Sequence, residues 1–360
     1  MNLQDWLAVF GVVLNGIPQG LLALGYGFAA LPTALAFAIG LVGTWAFHSV
    51  APISFQAETI TLVGTLGSNM RERLSILFWE GVIMTFVGAF GLLEEIVNLI
   101  GPQVTSAMMA GVGIMLAYVA IQMGLSSPWV AAASAAVALS VWAFTGNLVH
   151  TIVWSVLAGT IVGRFVSFQA TESSPERERF RLQPLVWRFW ESPTVLRGAL
   201  SLSMLNIGAN ITFGKITGQI ARANVNVDHL AVYSSLADVS SSLFGGAPVE
   251  AIISATGAAP HPHFAAMAMM AVFVVILLLG LLPRIGRYVP QASIAGFLFV
   301  LGAIVTLPTN VQLAFQDVAL NSPMAAILGV TIVVSARFDP FLGMVAGTLL
   351  RAVFALAGAI

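Results

Sequence analysis

Residues 30–66 read ALPTALAFAIGLVGTWAFHSVAPISFQAETITLVGTL, and residues 236–258 read LADVSSSLFGGAPVEAIISATGA. Each is a long apolar or small-residue run that breaks at an Ala-Pro step and resumes as a short piece carrying polar residues. Leu35-Ala36 precedes Ala51-Pro52-Ile53 by 16 residues, and Leu230-Ala231 precedes Ala247-Pro248-Val249 by 17. Within lipid, non-helical backbone survives only where it is buried in protein or lines a cavity. Interrupted apolar segments at matching positions of two halves are the sequence pointer to the central site of a transporter built from inverted repeats.

The remainder of the 360 residues supplies the membrane. Hydrophobic residues make up 58% and charged residues 8%, and the mean hydropathy is +0.95. A soluble domain needs about a quarter charged residues for its surface, so lipid is the solvent this composition requires. A net charge of −1 gives no footprint for nucleic acid. The absence of cysteine excludes disulfides, thiolate metal sites and cysteine nucleophiles. The first ten residues show no basic region followed by a cleavage site, so the first apolar run is expected to remain as a membrane helix.

Runs of roughly 20 apolar residues lie near 6–26, 30–48, 72–93, 102–123, 129–144, 147–167, 195–221, 264–282, 290–307, 322–336 and 338–358. With the interrupted stretch 51–66, and with 229–257 read as one span plus a half-helix, the expectation is an all-α membrane protein of about fourteen segments. The hydrophilic stretch 168–192 divides it into a first repeat, 1–167, and a second, 193–360. An odd number of spans per repeat makes the copies inverted.

Pro52 and Pro248 are read as the starts of two half-helices whose N-termini face the midplane, where backbone N–H groups near Phe55 and Val249 would serve a solute. Gly245 and Gly246 permit close backbone approach there. Glu58 lies inside the membrane two residues after Gln56, and an ionisable group at that depth is a functional candidate. Glu250 and Asp238 are candidates of the same kind, each with a capping role as the plainer alternative. On 200–221, Asn206 and Asn210, then Lys215 and Gln219, repeat the i, i+4 spacing and share a face. That polar stripe must meet protein or water. Gln19 follows Pro18 in the first span, and Phe55 could stack on a planar ligand. The histidines have no metal-ligand spacing. Ion coupling is assigned to Glu58, Glu250 and Asp238, solute contact to Gln19, Phe55, Gln56, Glu58, Asn206, Asn210, Val249, Glu250 and Ser254.

Residues 18–66, SAMMAGVGIMLAYVA at 106–120 and LADVSSSLFGGAPVEAIISATGA at 236–258 resemble the xanthine/uracil permease family, the nucleobase–ascorbate transporters, with the hypoxanthine/guanine branch nearest. The resemblance implies two inverted sets of seven segments, with half-helices in segments 3 and 10. Segments 1–4 and 8–11 would form a core domain, and segments 5–7 and 12–14 a gate domain. It also implies proton- or sodium-coupled uptake of a nucleobase, no cofactor, a homodimer and residence in the cell membrane. The family places a carboxylate on segment 8, where this chain offers Leu205, Asn206 and Asn210, and another six residues past the segment-10 turn, where Ser254 stands. Glu58 occupies the repeat-related position past Pro52, so a carboxylate has moved to segment 3 on this reading. The sulfate-permease anion family is the alternative, on Pro18-Gln19-Gly20 and SSLFGGAP at 241–248; its usual regulatory domain after the last span is not expected here. Neither a repeated pore motif nor a nucleophile–base or HExxH motif supports a channel or an enzyme. Arg71, Arg73, Arg177, Arg179, Arg181, Arg188, Arg284, Arg287 and Arg337 fall after odd-numbered spans, so charge bias puts those loops in the cytoplasm whereas the resemblance implies the reverse.

Overall fold

A computed structural model describes residues 2–166 and 180–358. Its helices are α1 (Leu3–Gly25), α2 (Ala30–Ala46), α3 (Ala57–Leu66), α4 (Met70–Ala89), α5 (Leu93–Ile100), α6 (Pro102–Leu125), α7 (Pro128–Thr145) and α8 (Leu148–Phe165) in the first half. The second half carries α9 (Pro193–Ala221), α10 (Val227–Leu243), α11 (Pro262–Leu278), α12 (Leu281–Gly286), α13 (Ala295–Phe299), α14 (Leu307–Ala314), α15 (Pro323–Arg337) and α16 (Pro340–Leu356). Two short strands, β1 (Ile53–Ser54) and β2 (Glu250–Ala251), precede α3 and α11. Joining the pieces that share one crossing leaves fourteen segments in a 7+7 arrangement.

Local chemistry sets the boundaries. Proline occupies the first position of α6, α7, α9, α11, α15 and α16, where its missing N–H is no loss. The side chains of Asn69, Asn147, Ser192, Asn226, Ser322 and Asp339 accept from first-turn N–H groups. Residues 300–306, between α13 and α14, form a π-helix. The next turn holds Pro308, whose ring would clash with the Ile304 carbonyl in a regular helix, and widening relieves that clash.

Among the described residues, five stretches are by themselves long and apolar enough to cross a bilayer: 3–25, 102–125, 128–145, 148–165 and 291–314. Neither α9, which carries too many polar residues, nor α10, which has 17 residues, is among them; their polar side chains Asn206, Asn210, Ser234, Ser235, Asp238, Ser241 and Ser242 are buried. Exposed Trp45, Phe86, Trp129, Phe144, Trp154 and Phe165 give the outer surface the apolar and aromatic character that lipid demands.

Packing follows two groupings. Helix α10 lies against α2 and α4, α11 against α1 and α2, and α9 against α4; α6 packs on α14 and α15, and α7 on α8 and α13. Glycines set the closest approaches. A Cβ on Gly302 would fall 2.6 Å from the Gly113 carbonyl oxygen and 2.7 Å from the Ala117 nitrogen, the small-residue contact by which membrane helices associate. Residues 180–192 are not a free loop. Gln183 N–H donates to the Leu243 carbonyl at 2.9 Å, Val186 N–H to Ser75 Oγ at 2.8 Å, and Trp79 Nε1 to the Val186 carbonyl at 2.9 Å. The remainder of the hydrophilic stretch, with Arg177 and Arg179, lies outside the described residues.

The two interrupted stretches cross. Strands β1 and β2 pair antiparallel, Ile53 opposite Ala251 and Ser54 opposite Glu250, and Ala29 bridges Gly246 in parallel. The glycine pair works as expected: Gly245 has φ +91°, and a Cβ on Gly246 would sit 2.8 Å from Thr33 N and 2.9 Å from the Pro32 carbonyl carbon. Gly246→Ala should therefore lower stability by about 1–3 kcal/mol, seen as a reduced melting temperature of purified protein; a wild-type value would show that the bridge can yield.

Candidate functional site

The prolines do not start helices. Pro52 and Pro248 lead into the strands, and α3 begins five residues later at Ala57. In the second stretch the half-helix is one four-residue 3₁₀ turn, Ala255–Ala258. Segment 3 continues as AETITLVGTL, whereas segment 10 meets Gly257, Pro260 and Pro262 within a few residues and cannot propagate. Ser254 caps that turn, its Oγ accepting from Thr256 N–H at 3.2 Å.

Nor are the expected backbone donors open. Val249 N–H donates to Asp238 Oδ1 at 2.8 Å. The N-terminus of α3 is capped from segment 1, Ala57 N–H donating to Gln19 Oε1 at 2.9 Å. Gln19 thus stands where it orients the half-helix. The Phe55 ring packs with Phe37 and Phe273 in a buried aromatic cluster, with centroids 5.2 and 5.6 Å away in T-shaped contacts. Lys215 leaves the polar stripe for the surface, pairing with Glu94 at 2.6 Å with both side chains about half exposed.

What the fold does assemble is a buried carboxylate cluster. Glu80 on α4, Asp238 on α10 and Glu250 on β2 place one oxygen each within 4.8 Å of one another. All three are buried, at 0, 0 and 1% exposure. The Asn206 amide organises them: its Nδ2 donates to Glu80 Oε1 at 2.9 Å and also to Glu250 Oε1. Its Oδ1 accepts from Thr59 Oγ1 at 3.3 Å, and that hydroxyl is also 2.5 Å from Gln56 Oε1. The Asp238 and Glu250 carboxyls lie side by side, with oxygens within 4.8 Å of each other. Segments 3, 4, 8, 9 and 10 therefore meet in one polar network.

Several buried polar atoms around it have no hydrogen-bond partner: Glu80 Oε2, Asp238 Oδ2, Gln56 Nε2, Ser54 Oγ and both amide atoms of Asn210. Burying such atoms unpaired is costly, and most proteins avoid it. Together they present donors and acceptors of the kind a small polar solute, a cation or water would complete.

Glu58 is apart from the cluster. It lies in the first turn of α3, 5% exposed, with its carboxyl beside Thr306 at the end of the π-helix. The sequence reading missed Glu80 altogether. Its signal was present, one carboxylate midway through LSILFWEGVIMTFVGAF, a run without other ionisable groups.

The sequence profile of the xanthine/uracil permeases, described as a permease family, matches residues 19–338. A search of curated proteins finds no match. Among solved structures, the overall structure of SLC26A9 superposes with a TM-score of 0.70 at 13% identity, covering 99% of this chain and 65% of that one. The transmembrane domain of the cyanobacterial bicarbonate transporter BicA gives 0.66 at 16% identity, covering 96% and 97%. The murine Slc26a9 anion transporter in the inward-facing state gives 0.70 at 14% identity, covering 99% and 68%. This chain thus spans about two thirds of the length of SLC26A9, and at these identities the likeness establishes the shared fold.

Proposed function

The chain belongs to the xanthine/uracil permease family and is a multi-pass membrane transporter; from that premise we propose that it carries a small, neutral, planar polar solute, a nucleobase of the purine or uracil type. Transport is secondary and cation-coupled, and the core, segments 1–4 and 8–11, moves against the gate, segments 5–7 and 12–14. Gln56, Asn206, Asn210 and Glu250 contact solute, while Glu250, Asp238 and Glu58 carry the coupling charge. Gln19, Phe55, Val249 and Ser254 shape the site from behind, through the contacts described above. The protein works as a homodimer in the cell membrane.

The observation that carries this reading is the chemistry of the crossing point, which among the described residues offers amides and carboxylates without a basic side chain. A nucleobase edge alternates donors and acceptors and is complemented by such groups. An anion is not. The nearby cations are engaged elsewhere: Arg197 with Asp339, Lys215 with Glu94, and Arg73 with the carbonyls of Tyr26 and Gly67. The N-terminus of α3, which an anion would seek, is taken by Gln19. The bicarbonate and anion transporters among the structural neighbours are compatible with the sulfate-permease alternative.

A thermal-shift screen of detergent-purified protein separates the two. The panel is adenine, guanine, hypoxanthine, xanthine, uracil, ascorbate, sulfate, bicarbonate and dicarboxylates. A ligand at 100 times its Kd stabilises the native state by about 2.7 kcal/mol, so a nucleobase should raise the melting temperature by several degrees. Stabilisation by inorganic anions alone would replace the nucleobase reading with the anion one.

The Glu58–Thr306 contact joins segment 3 to segment 12, across the proposed core–gate boundary. Glu58→Gln and Thr306→Val should each slow counterflow of labelled solute in proteoliposomes by about tenfold, and the double variant should be no slower than the worse single one. Independent, additive losses would show that the two side chains do not act together.

A further inference from the structure

Three carboxylates converge in the interior, and among the described residues no lysine or arginine makes an ion pair with any of them. At that spacing, in surroundings of low dielectric, three ionised groups repel strongly and cannot persist without positive charge between them. The donors already present, Asn206 Nδ2 and Val249 N–H, reach Glu80 Oε1, Glu250 Oε1 and Asp238 Oδ1. Glu80 Oε2 and Asp238 Oδ2 are left without a donor. Asn210, whose amide is unpartnered at both atoms and 1% exposed, lies one turn along α9 on the face that Asn206 presents to the cluster.

We propose that Glu80, Asp238 and Glu250 together hold one sodium ion between α4, α10 and β2. A proton joins two oxygens at a time, whereas three carboxylates from three separate elements closing on one point suit a metal ion. The donor set is oxygen only, which selects hard cations. Magnesium retains several waters and calcium takes six to eight oxygens; a buried site with two unpartnered carboxylate oxygens suits neither. Asn206 is a positioning residue, because its amide holds two of the three carboxylates while its oxygen meets Thr59 of segment 3. The ion thereby braces the junction where the interrupted segments cross. A coupling role for the ion rests on the transporter reading above; its binding does not.

The test needs no solute. Purified wild-type protein is melted at mildly alkaline pH in sodium, lithium, potassium, magnesium, calcium or choline chloride at matched ionic strength. Sodium should raise the melting temperature over choline by roughly 2–4 °C, and the protein should retain radiolabelled sodium. Glu80→Gln and Asp238→Asn should lose both responses, while Glu94→Gln, at the surface, keeps them. Equal melting in sodium and choline with no retained label overturns the proposal, and this arm uses only the wild type, so misfolding of a variant cannot hide the answer. A response to pH alone assigns the cluster to protons and also overturns it, as does a larger response to magnesium or calcium. A nucleobase shift without a sodium response would reject the ion and leave the solute reading standing; the converse would do the opposite.

Discussion

Asn206→Leu should lower stability by about 3–5 kcal/mol and reduce solute uptake to background. The substitution keeps the γ-branched outline of the side chain, adds some volume and removes its chemistry. Glu80 Oε1 and Glu250 Oε1 then lose their shared donor, and the Thr59 hydroxyl loses one of its two acceptors. Hydrogen bonds to charged groups contribute about 1.5–3 kcal/mol each, and an unpaired buried partner adds its desolvation. Asn206→Ser should fall between leucine and wild type, since a hydroxyl donates once and cannot serve both carboxylates. Measured as melting temperature and as uptake in proteoliposomes, a leucine variant that behaves like wild type would show that something other than this amide holds the cluster.

The second large effect lies between α9 and α16. Asp339, with no exposed surface, accepts from the Arg197 guanidinium, from Ser201 Oγ at 2.7 Å and from Leu342 N–H at 2.8 Å, the last as the cap of α16. Asp339→Ala removes a helix cap, about 1 kcal/mol, and unpairs an arginine that is 43% exposed and so partly able to rehydrate. The total loss should be about 2–4 kcal/mol. Arg197→Ala leaves the buried carboxylate with two neutral donors and should cost a similar amount. Because either single change already breaks the pair, the double variant should lose clearly less than the sum, with a coupling energy of about 1–3 kcal/mol. Strict additivity in the melting temperatures would remove the pair from the account of how segment 8 is tied to the last two spans.

Both effects bear on how far the chain can be read without its fold. Counting apolar runs placed the spans, because each crossing requires about 20 apolar residues wherever its neighbours lie. Capping residues and first-turn prolines set the observed helix starts, through interactions that close within a few residues of sequence, although the two prolines read as starts, Pro52 and Pro248, lead into strands instead. The two Ala-Pro interruptions announced the crossing point, since lipid would not tolerate them elsewhere. Even the shortness of segment 10 was written in Gly257, Pro260 and Pro262, although the expectation gave it a half-helix start at Pro248.

The site was only partly legible. Asn206, Glu250, Asp238 and Gln56 stood out as polar groups in apolar runs and do meet. Glu80, equally polar and equally deep, passed unnoticed, and its partner Asn206 is 126 residues away. Hydropathy reports that a residue lies within a span; it carries no information on which face of that helix meets which neighbour. Gln19 and Val249 show the same limit from the other side, because their groups are already bonded across the fold, to α3 and to Asp238. Composition and spacing alone determined that this protein is a bundle of membrane helices with two broken spans. Tertiary structure alone decided which carboxylates share one interior point, because that depends on helix rotation and strand register, set by packing between segments far apart in the chain.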